Sequence, residues 1–223
     1  MLLWAPLDDE YYVDGMQKDA FYQNQTLFIS DRPLIHVLPH WNQTGREGQP
    51  IRVVAYTNCE EAELFVNGKS FGRVKIDRPG HAEWSVPFAP GSVKALGYVG
   101  ERPVAGDAVR TTGAAVSLAL KLENPVDAAN GRDVALFTCT ALDADGVEVP
   151  DAAPFVRFCT NRLGRIVGTG SDVSDHTPVP SPDRRMRAGR VAVAVKVGDV
   201  PGRLTLRAEA DGLIPAELTL QLK

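Results

Sequence analysis

Short apolar runs with alternating polarity recur from Ile51 to the end of the chain, each bounded by glycine, proline, asparagine or aspartate. Such runs predict β-strands joined by turns. Between two of the runs, Asn67-Gly68 supplies the positive φ angles that a type I′ hairpin turn requires. About six strands between residues 50 and 112 are typical of an antiparallel β-sandwich. This first series consists of IRVVAYT, AELFVNG, FGRVKI, HAEWSVPF, GSVKALGYV and PVAGDAVRT.

A second series of runs begins after the small, unpatterned segment 111–115. Alternation at Val191, Val193, Val195 and Val197 indicates a strand with one buried face. Roughly 110 residues of this kind most often form an immunoglobulin-like sandwich. The runs are VSLALKLEN, DVALFTCTALDADG, APFVRFCTN, GRIVGTGS, GRVAVAVKVG, GRLTLRAEADG and AELTLQLK.

The N-terminal fifth of the chain is rich in aromatic residues and contains the segment KDAFYQNQTLFIS. This segment predicts a helix of about three turns with Asp19 as its N-cap. Phe21 and Phe28 lie one heptad apart on one face of that helix, and Pro33 ends it. Because an isolated helix of this length is marginal, it must dock on something larger.

These patterns predict a mainly β fold, with two consecutive immunoglobulin-like β-sandwich domains and a short N-terminal helical segment. The predicted domains are a helical remnant with its linker at 1–49, a small β-sandwich at 50–112 and a C-terminal immunoglobulin-like sandwich at 113–223. No helical stretch separates the strands, which excludes a βαβ architecture.

The charge balance limits the partners that we expect. The 223-residue chain has a formal net charge of -4 and a pI near 5.6, so no nucleic-acid partner is predicted. No apolar run approaches the roughly 20 residues of a membrane helix, and no membrane association is predicted. The opening MLLWAPLDDEYY lacks a basic region and is interrupted by Pro6, so it does not predict a secretory signal.

The cysteines Cys59, Cys139 and Cys159 form no CxxC pair and have no histidine at metal-ligand spacing. This pattern argues against a disulfide framework and against a zinc site. We predict that they serve as small buried apolar residues, and leave open one bridge between Cys139 and Cys159. No metal ion and no cofactor are predicted.

The segment RPLIHVLPHWN places two histidines, two prolines and a tryptophan between the predicted helix and the first strand. One hypothesis is that His36, His40 and Trp41 line a sugar site, since sugars stack on aromatic faces and accept hydrogen bonds from imidazole. The favoured interpretation is that these side chains pack the linker against its neighbours and find local hydrogen-bond partners.

An acidic stretch, DADGVEVPD, invites a calcium interpretation through Asp143, Asp145 and Asp151. Gly146 comes two places too early for an EF-hand loop, and Asp145-Gly146 instead predicts a hairpin turn.

Two further polar groups have simple interpretations. The basic cluster in DRRMRAGR is expected to face water on an edge strand, although pairing with acidic groups of a neighbouring domain is the alternative. His176, with Asp172 and Asp175, lies in a predicted long loop without a nucleophile on a sharp strand-to-helix turn, so we predict no catalytic residue there. The cluster comprises Arg184, Arg185, Arg187 and Arg190.

Several of these stretches together resemble the region just after the catalytic barrel in bacterial glycoside hydrolase family 2 enzymes of the β-galactosidase type. The stretches are KDAFYQ, SDRPLIHVLPHWN, GREGQPIRVVAYTNCEEAELFVNGKSFGR and GHAEWSVPFAPGSVKALGY. Later stretches resemble the immunoglobulin-like domain that ends many such chains, namely LDADGVEVPDAAPFVRF, GRIVGTGSDVSDH and DRRMRAGRVAVAV. The resemblance covers about residues 18 to 223, whereas MLLWAPLDDEYYVDG does not match.

In that family a (β/α)8 barrel carries two catalytic glutamates, the first of them after an asparagine. Retaining glycosidases hold the two carboxyl groups about 5 to 5.5 Å apart on a rigid scaffold. This sequence contains no Asn-Glu dipeptide. The resemblance therefore implies that the chain carries no catalytic residue and is not active alone, and that segment 19–30 corresponds to the last helix of the barrel.

The resemblance implies a non-catalytic C-terminal region that supports the catalytic barrel, its expected partner, and contributes to the substrate cleft or a subunit interface. The alternative is a stand-alone carbohydrate-binding or adhesin-like immunoglobulin-fold module, which would bind sugar through Trp41 or Trp84. Trp84 is otherwise expected in a sandwich core. Carbohydrate binding and self-association through an exposed N-terminal segment are left open, and no carbohydrate-binding residue is assigned.

Overall fold

The computed structural model describes residues 17–77, 80–172 and 175–223. Trp4, Tyr11 and Tyr12, which contribute to the aromatic N-terminal region, lie outside the described residues. By its contacts the chain divides into two compact units, which contain residues 17–111 and 112–223. Each unit has its own hydrophobic core.

The first unit begins with a helix and continues with seven strands. Two antiparallel sheets, of order β1-β2-β5 and β4-β3-β6-β7, face each other across its core. This order corresponds to the A-B-E and C′-C-F-G sheets of the immunoglobulin fold. The elements are α1 (Asp19–Phe28), β1 (Ile35–Leu38), β2 (Pro50–Thr57), β3 (Glu61–Val66), β4 (Lys69–Lys75), β5 (His81–Pro87), β6 (Ser92–Val99) and β7 (Arg102–Arg110).

The second unit repeats this plan with eight strands. Its sheets have the orders β11-β13-β9-β8 and β12-β10-β14-β15, which correspond to D-E-B-A and to C-F-G with an added edge strand. The strands are β8 (Ser117–Leu122), β9 (Val134–Leu142), β10 (Phe155–Thr160), β11 (Gly164–Gly170), β12 (Asp183–Arg185), β13 (Arg190–Val197), β14 (Gly202–Ala210) and β15 (Ala216–Leu222). The predicted mainly β, immunoglobulin-like fold is confirmed.

Alternating polarity determines which side chains enter each core. In β5 exposed and buried residues alternate along the whole strand, which directs Trp84 and Val86 inwards. In β13 the four valines of the predicted pattern are all buried. The Asn67-Gly68 turn between β3 and β4 has φ angles of 50° and 80°, as the type I′ prediction requires.

One short strand was not predicted. β1 lies in the segment that was expected to be a linker, and it pairs with β2 with Val37 opposite Ala55. β12 has only three residues and lies at the edge of its sheet, as expected for the start of the basic cluster. The N-cap prediction was also wrong, because Lys18 is the N-cap and Asp19 is the first helical residue.

The cysteines are all free, so the bridge left open between Cys139 and Cys159 is absent. Cys59 and Cys139 are buried as predicted, but Cys159 is exposed. The reason is the strand period of two, because inward-facing Phe158 directs its neighbour Cys159 outwards. Among the described residues, no helix is long and apolar enough to cross a membrane.

Candidate functional site

The segment 32–42 joins α1 to the first sandwich and contains β1. Successive side chains of β1 lie on opposite faces, so some residues of the segment enter the core and others do not. Trp41 is 0% exposed, packs edge-on against Phe88 at 5.2 Å between ring centroids, and donates its indole N–H to the carbonyl oxygen of Ala89 at 2.9 Å. Val37 is buried in the same core. Trp41 is therefore a core residue, as the packing interpretation expects, and its ring is not available for sugar stacking.

His36 lies beside Val37 on the opposite face of β1 and contacts three charged or aromatic side chains. Its Nε2 is 3.2 Å from Oδ1 of Asp19 in α1, and its Nδ1 is 3.2 Å from Oδ2 of Asp107 in β7. The Tyr22 ring stacks on the imidazole at 3.8 Å between centroids, with an interplanar angle of 16°. We call this group, Asp19, Tyr22, His36 and Asp107, the His36 clamp.

The electrostatics of the His36 clamp favour the charged imidazolium. Burial alone would lower the pKa of His36, but hydrogen bonds and charge attraction from Asp107 and Asp19 outweigh burial and raise the pKa to about 9. Burial would raise the pKa of Asp107, but His36 and the backbone N–H groups of Val37 and Ala108 lower it.

This arrangement limits the chemistry of His36. An imidazolium with both N–H groups directed at carboxylates has no free nitrogen to accept a proton. The clamp therefore does not supply a general base at neutral pH. It joins α1, β1 and β7 by charge-assisted hydrogen bonds, which are stronger than neutral ones.

A second anchor holds the chain just after α1. The buried side chain of Asn58 donates from Nδ2 to the carbonyl oxygens of Ile29 and Arg32, both at 2.8 Å. Its Oδ1 accepts the N–H of Leu34 at 2.7 Å. Asn58 thus satisfies three backbone groups in the turn between α1 and β1.

The exposed residues of α1 are Asp19, Gln23, Leu27 and Phe28, so the outer side of the helix is apolar at its C-terminal end. Phe28 is 83% exposed and Leu27 is 49% exposed, while Phe21 is half-buried. Of the ten residues in α1, only Thr26 is buried. Phe28 is therefore available to a partner, whereas Trp41 at the end of the linker is fully buried.

The three residues of the sugar-site hypothesis are not brought together. His36 is in the clamp, Trp41 is in the core, and His40 is exposed at the surface, where its Nδ1 accepts the N–H of Asn42 at 3.3 Å. Trp84 is buried as expected, with its indole N–H donated to the carbonyl oxygen of Gly72 at 3.2 Å.

The partners of His36 were missed in the sequence because they are separated from it by up to about 70 residues. Asp107 is the only carboxylate in the run PVAGDAVRT, and this isolated charge in a small-residue strand was the available signal. Asn58 precedes Cys59 at the end of β2 and carried no recognisable pattern.

In the second unit, Asp143 organises the predicted Asp145-Gly146 turn. Its carboxylate accepts the backbone N–H groups of Gly113, Asp145 and Val147 at 2.8 to 3.0 Å. Gly146 has a φ of 74°, as the turn prediction requires. Within the described ranges 17–77, 80–172 and 175–223, no group of three or more potential ligands is arranged to hold a metal ion.

The expectation that the basic cluster faces water is wrong for Arg184, which is 2% exposed. β12 is an edge strand, but Arg184 points inwards from it. Its guanidinium donates to the carbonyl oxygens of Thr169, Thr177 and Pro178 at 2.7 to 3.1 Å. Arg190 is also paired, with Glu148, whereas Arg185 and Arg187 are exposed.

Of the His176 group, Asp175 is part of the same anchor. Asp175 forms an ion pair with Arg184 at 3.0 Å, and His176 points to solvent. Burial would raise the pKa of Asp175, but hydrogen bonds from Thr177 and the Arg184 charge lower it to about 2. Asp175 is thus an ionised partner of a buried arginine.

Two antiparallel sandwiches of immunoglobulin-like order, the first with a helix docked on it, place the chain in the class of immunoglobulin-like β-sandwich proteins. Two family models match these units. The model described as "Domain of unknown function (DUF4982)" matches residues 48–105, and "Glycoside hydrolase family 2 C-terminal domain 5" matches residues 118–219.

Relatives cover nearly the whole chain. The protein "Beta-galactosidase BoGH2A" of Bacteroides ovatus is 33% identical over 92% of this chain and 24% of its own length. A crystal structure of a β-glycosidase from Bacteroides vulgatus has a TM-score of 0.88 at 29% identity, over 96% of this chain and 28% of that chain. A family 2 structure from Bacteroides cellulosilyticus has a TM-score of 0.90 at 26% identity, over 95% and 32%.

These matches give the chain its family. It belongs to glycoside hydrolase family 2 and represents the C-terminal β-sandwich region of that family. The chain spans about a quarter of the length of the Bacteroides ovatus relative.

Proposed function

We propose that this chain is the non-catalytic C-terminal region of a β-galactosidase-like glycoside hydrolase and supports the catalytic barrel. In this proposal, 1–49 is the end of the barrel with its linker, 50–112 is a small sandwich and 113–223 is the terminal immunoglobulin-like domain. β1 extends the small sandwich into the linker. The names of the relatives, β-galactosidase and β-glycosidase, support this parentage.

The outer side of α1 carries the proposal. A phenylalanine that is 83% exposed beside a half-exposed leucine is costly to leave in water, since burying such a side chain contributes about 1.5 to 3 kcal/mol. The inner side of α1 is held by the His36 clamp and Asn58. A helix that is held on one side and exposes two large apolar side chains at its C-terminal end is suited to packing against further helices of the same polypeptide.

The chain's own chemistry is consistent with a supporting role. Retaining hydrolysis requires two carboxyl groups about 5 to 5.5 Å apart, one of them protonated at neutral pH. The two carboxylates nearest to His36 are engaged by its imidazolium. The proposal has three further parts. The catalytic barrel is the partner of this chain, the chain contributes to the substrate cleft or a subunit interface, and the isolated chain self-associates through α1.

The first test concerns catalysis. The purified 223-residue chain is incubated with nitrophenyl β-galactoside and nitrophenyl β-glucuronide. We expect no release of nitrophenol above that of a mock purification. Turnover that co-purifies with the chain and is altered by a substitution in it would contradict the proposal.

The second test concerns the apolar side of α1. Sedimentation velocity compares the wild-type chain with Phe28→Asp, and the matched control is Phe155→Asp at an exposed phenylalanine of the second unit. We expect self-association of the isolated wild-type chain to be weakened tenfold or more by Phe28→Asp only. A monomeric wild-type chain that also fails to bind a separately supplied family 2 barrel would rule out α1 as the contact.

A further inference from the structure

We propose that His36 is a charged positioning residue, which fixes the N-terminal end of α1 on the first sandwich and releases it when the imidazolium loses its proton. This inference concerns the chain itself. Only its consequence for the placement of a catalytic barrel rests on the proposed function.

The two ends of α1 are held by different chemistry. After the C-terminal end, neutral Asn58 binds the carbonyl oxygens of Ile29 and Arg32, and these bonds do not change with pH. Near the N-terminal end, Asp19 and Tyr22 both contact His36. Thr26 is the one buried residue among the ten of α1, and Phe21 and Tyr22 are only half-buried, so the contacts with His36 are the specific attachment of the N-terminal end.

The groups that face His36 come from three elements around it. They are Asp19 and Tyr22 of α1, Asp107 of β7, and Tyr56 of β2, which lies directly opposite His36 in the sheet. The pKa of Tyr56 is raised, mainly by burial, and the pKa of Asp107 is lowered. Between neutral pH and about 9, His36 is therefore the member of this group that changes charge.

The pH dependence follows from the raised pKa of His36. When α1 is docked, the proton is bound more tightly than in a free histidine of pKa 6.5. Of the two carboxylates that raise this pKa, Asp107 belongs to the same sandwich as His36, so undocking of α1 removes only the contribution of Asp19. That contribution is present while His36 is charged and is lost as the pH rises through about 9. Because Asp19 is 58% exposed and its charge is screened by solvent, we expect the docked-to-undocked ratio to change about tenfold.

The test uses the full 223-residue chain and two NMR measurements. The ring signals of His36 are titrated from pH 5 to 10.5, and amide protection factors of α1, corrected for intrinsic exchange, are followed over the same range. We expect His36 to titrate well above 6.5, and α1 protection at residues 21–24 to fall about tenfold or more across that transition. Protection near Ile29 should change much less.

Matched variants separate charge from packing. His36→Gln retains hydrogen bonding without the charge, and is expected to show the high-pH protection of α1 already at pH 7. The control is His81→Gln, which removes a histidine that pairs with Glu83 in the same sheet rather than with α1. A His36 pKa near 6.5, or α1 protection that is independent of pH in the wild type, would overturn the proposal even if His36→Gln failed to fold. Neither result would depend on the presence of a barrel.

Discussion

The two sandwiches share a strand plan but secure their irregular segments differently. The first unit inserts Trp41, from the segment before β2, into a core that also contains Trp84 and Phe88. The core of the second unit consists mostly of valine, leucine and alanine with two phenylalanines, and the buried cation Arg184 anchors the long loop of this unit. The comparison shows that the same strand topology can fix a segment outside the strands in two ways. One is burial of an apolar side chain, and the other is a buried charged side chain that hydrogen-bonds the segment.

The two solutions respond differently to mutation and pH. Removal of a buried aromatic side chain lowers stability because it leaves a cavity. Removal of a buried ion lowers stability because it leaves its partner groups unpaired. Only the second type depends on the charge of a titrating partner. Substitutions at the two kinds of anchor test this distinction.

Trp41→Ala should have the largest effect. The indole is fully buried, so its removal is expected to lower the free energy of unfolding of the first unit by about 4 kcal/mol. Urea denaturation, with amide exchange of residues 17–111 as the unit-specific readout, measures the loss. Phe28→Ala, at an exposed aromatic position, is the control and should cost less than about 0.5 kcal/mol. Equal losses for the two variants would refute the distinction between them.

Arg184→Met should destabilise the second unit by about 3 kcal/mol, because it leaves Asp175 and several carbonyl oxygens without their cation. Arg185→Met, at the exposed neighbour, is expected to have little effect. Since the pKa of Asp175 is lowered to about 2, the ion pair stabilises the fold above about pH 3.8 and is lost as the pH falls through 2. The difference between wild type and Arg184→Met should therefore shrink below pH 3, and a constant difference would argue against an ionic anchor.

Asn58→Ala tests a polar anchor within the first unit. It removes three hydrogen bonds to backbone groups after α1, and we expect a loss of about 2 kcal/mol. Asn130 of the second unit is the matched comparison, because its Oδ1 accepts the N–H groups of Arg132 and Asp133 in an exposed turn. Asn130→Ala should cost under about 1 kcal/mol. Calorimetry of both variants measures the two losses of stability. A larger loss for Asn130→Ala than for Asn58→Ala would mean that burial does not determine the size of the loss.

Local patterns were sufficient to predict most of the fold. The strand period of two placed the four valines of β13 and Trp84 in their cores, and the Asn67-Gly68 turn needs only its own residues. β1 was missed because its short length gives no period, and its pairing depends on a partner distant in sequence.

The candidate site could be predicted only in part for the same reason. His36 was recognised as unusual, but its role depends on Asp107, which only the meeting of β1 and β7 brings within 3.2 Å. Arg184 was expected in water because an edge strand favours charge. Its inward orientation is stabilised by carbonyl oxygens of a loop whose path a linear pattern does not specify.

The smallest effect is predicted for a substitution in a hairpin turn, and each unit has one such turn for comparison. Both turns have two positive φ angles, but the first uses Asn67-Gly68, whereas the second uses Ala188-Gly189 with φ angles of 49° and 73°. Alanine is strained in this conformation, by about 1 kcal/mol, and asparagine tolerates it better.

Ala188→Asn should therefore stabilise the second unit by about 0.5 to 1 kcal/mol, seen as a rise in its melting temperature. Asn67→Ala, the reverse change in the first unit, should destabilise by more than this gain, because it also removes the hydrogen bonds to Ser92 and Pro90. Gly189→Ala is the negative control, since its Cβ would lie 2.2 Å from the carbonyl oxygen of Val149. A lower melting temperature for Ala188→Asn would show that Ala188 is held there by contacts stronger than its backbone strain.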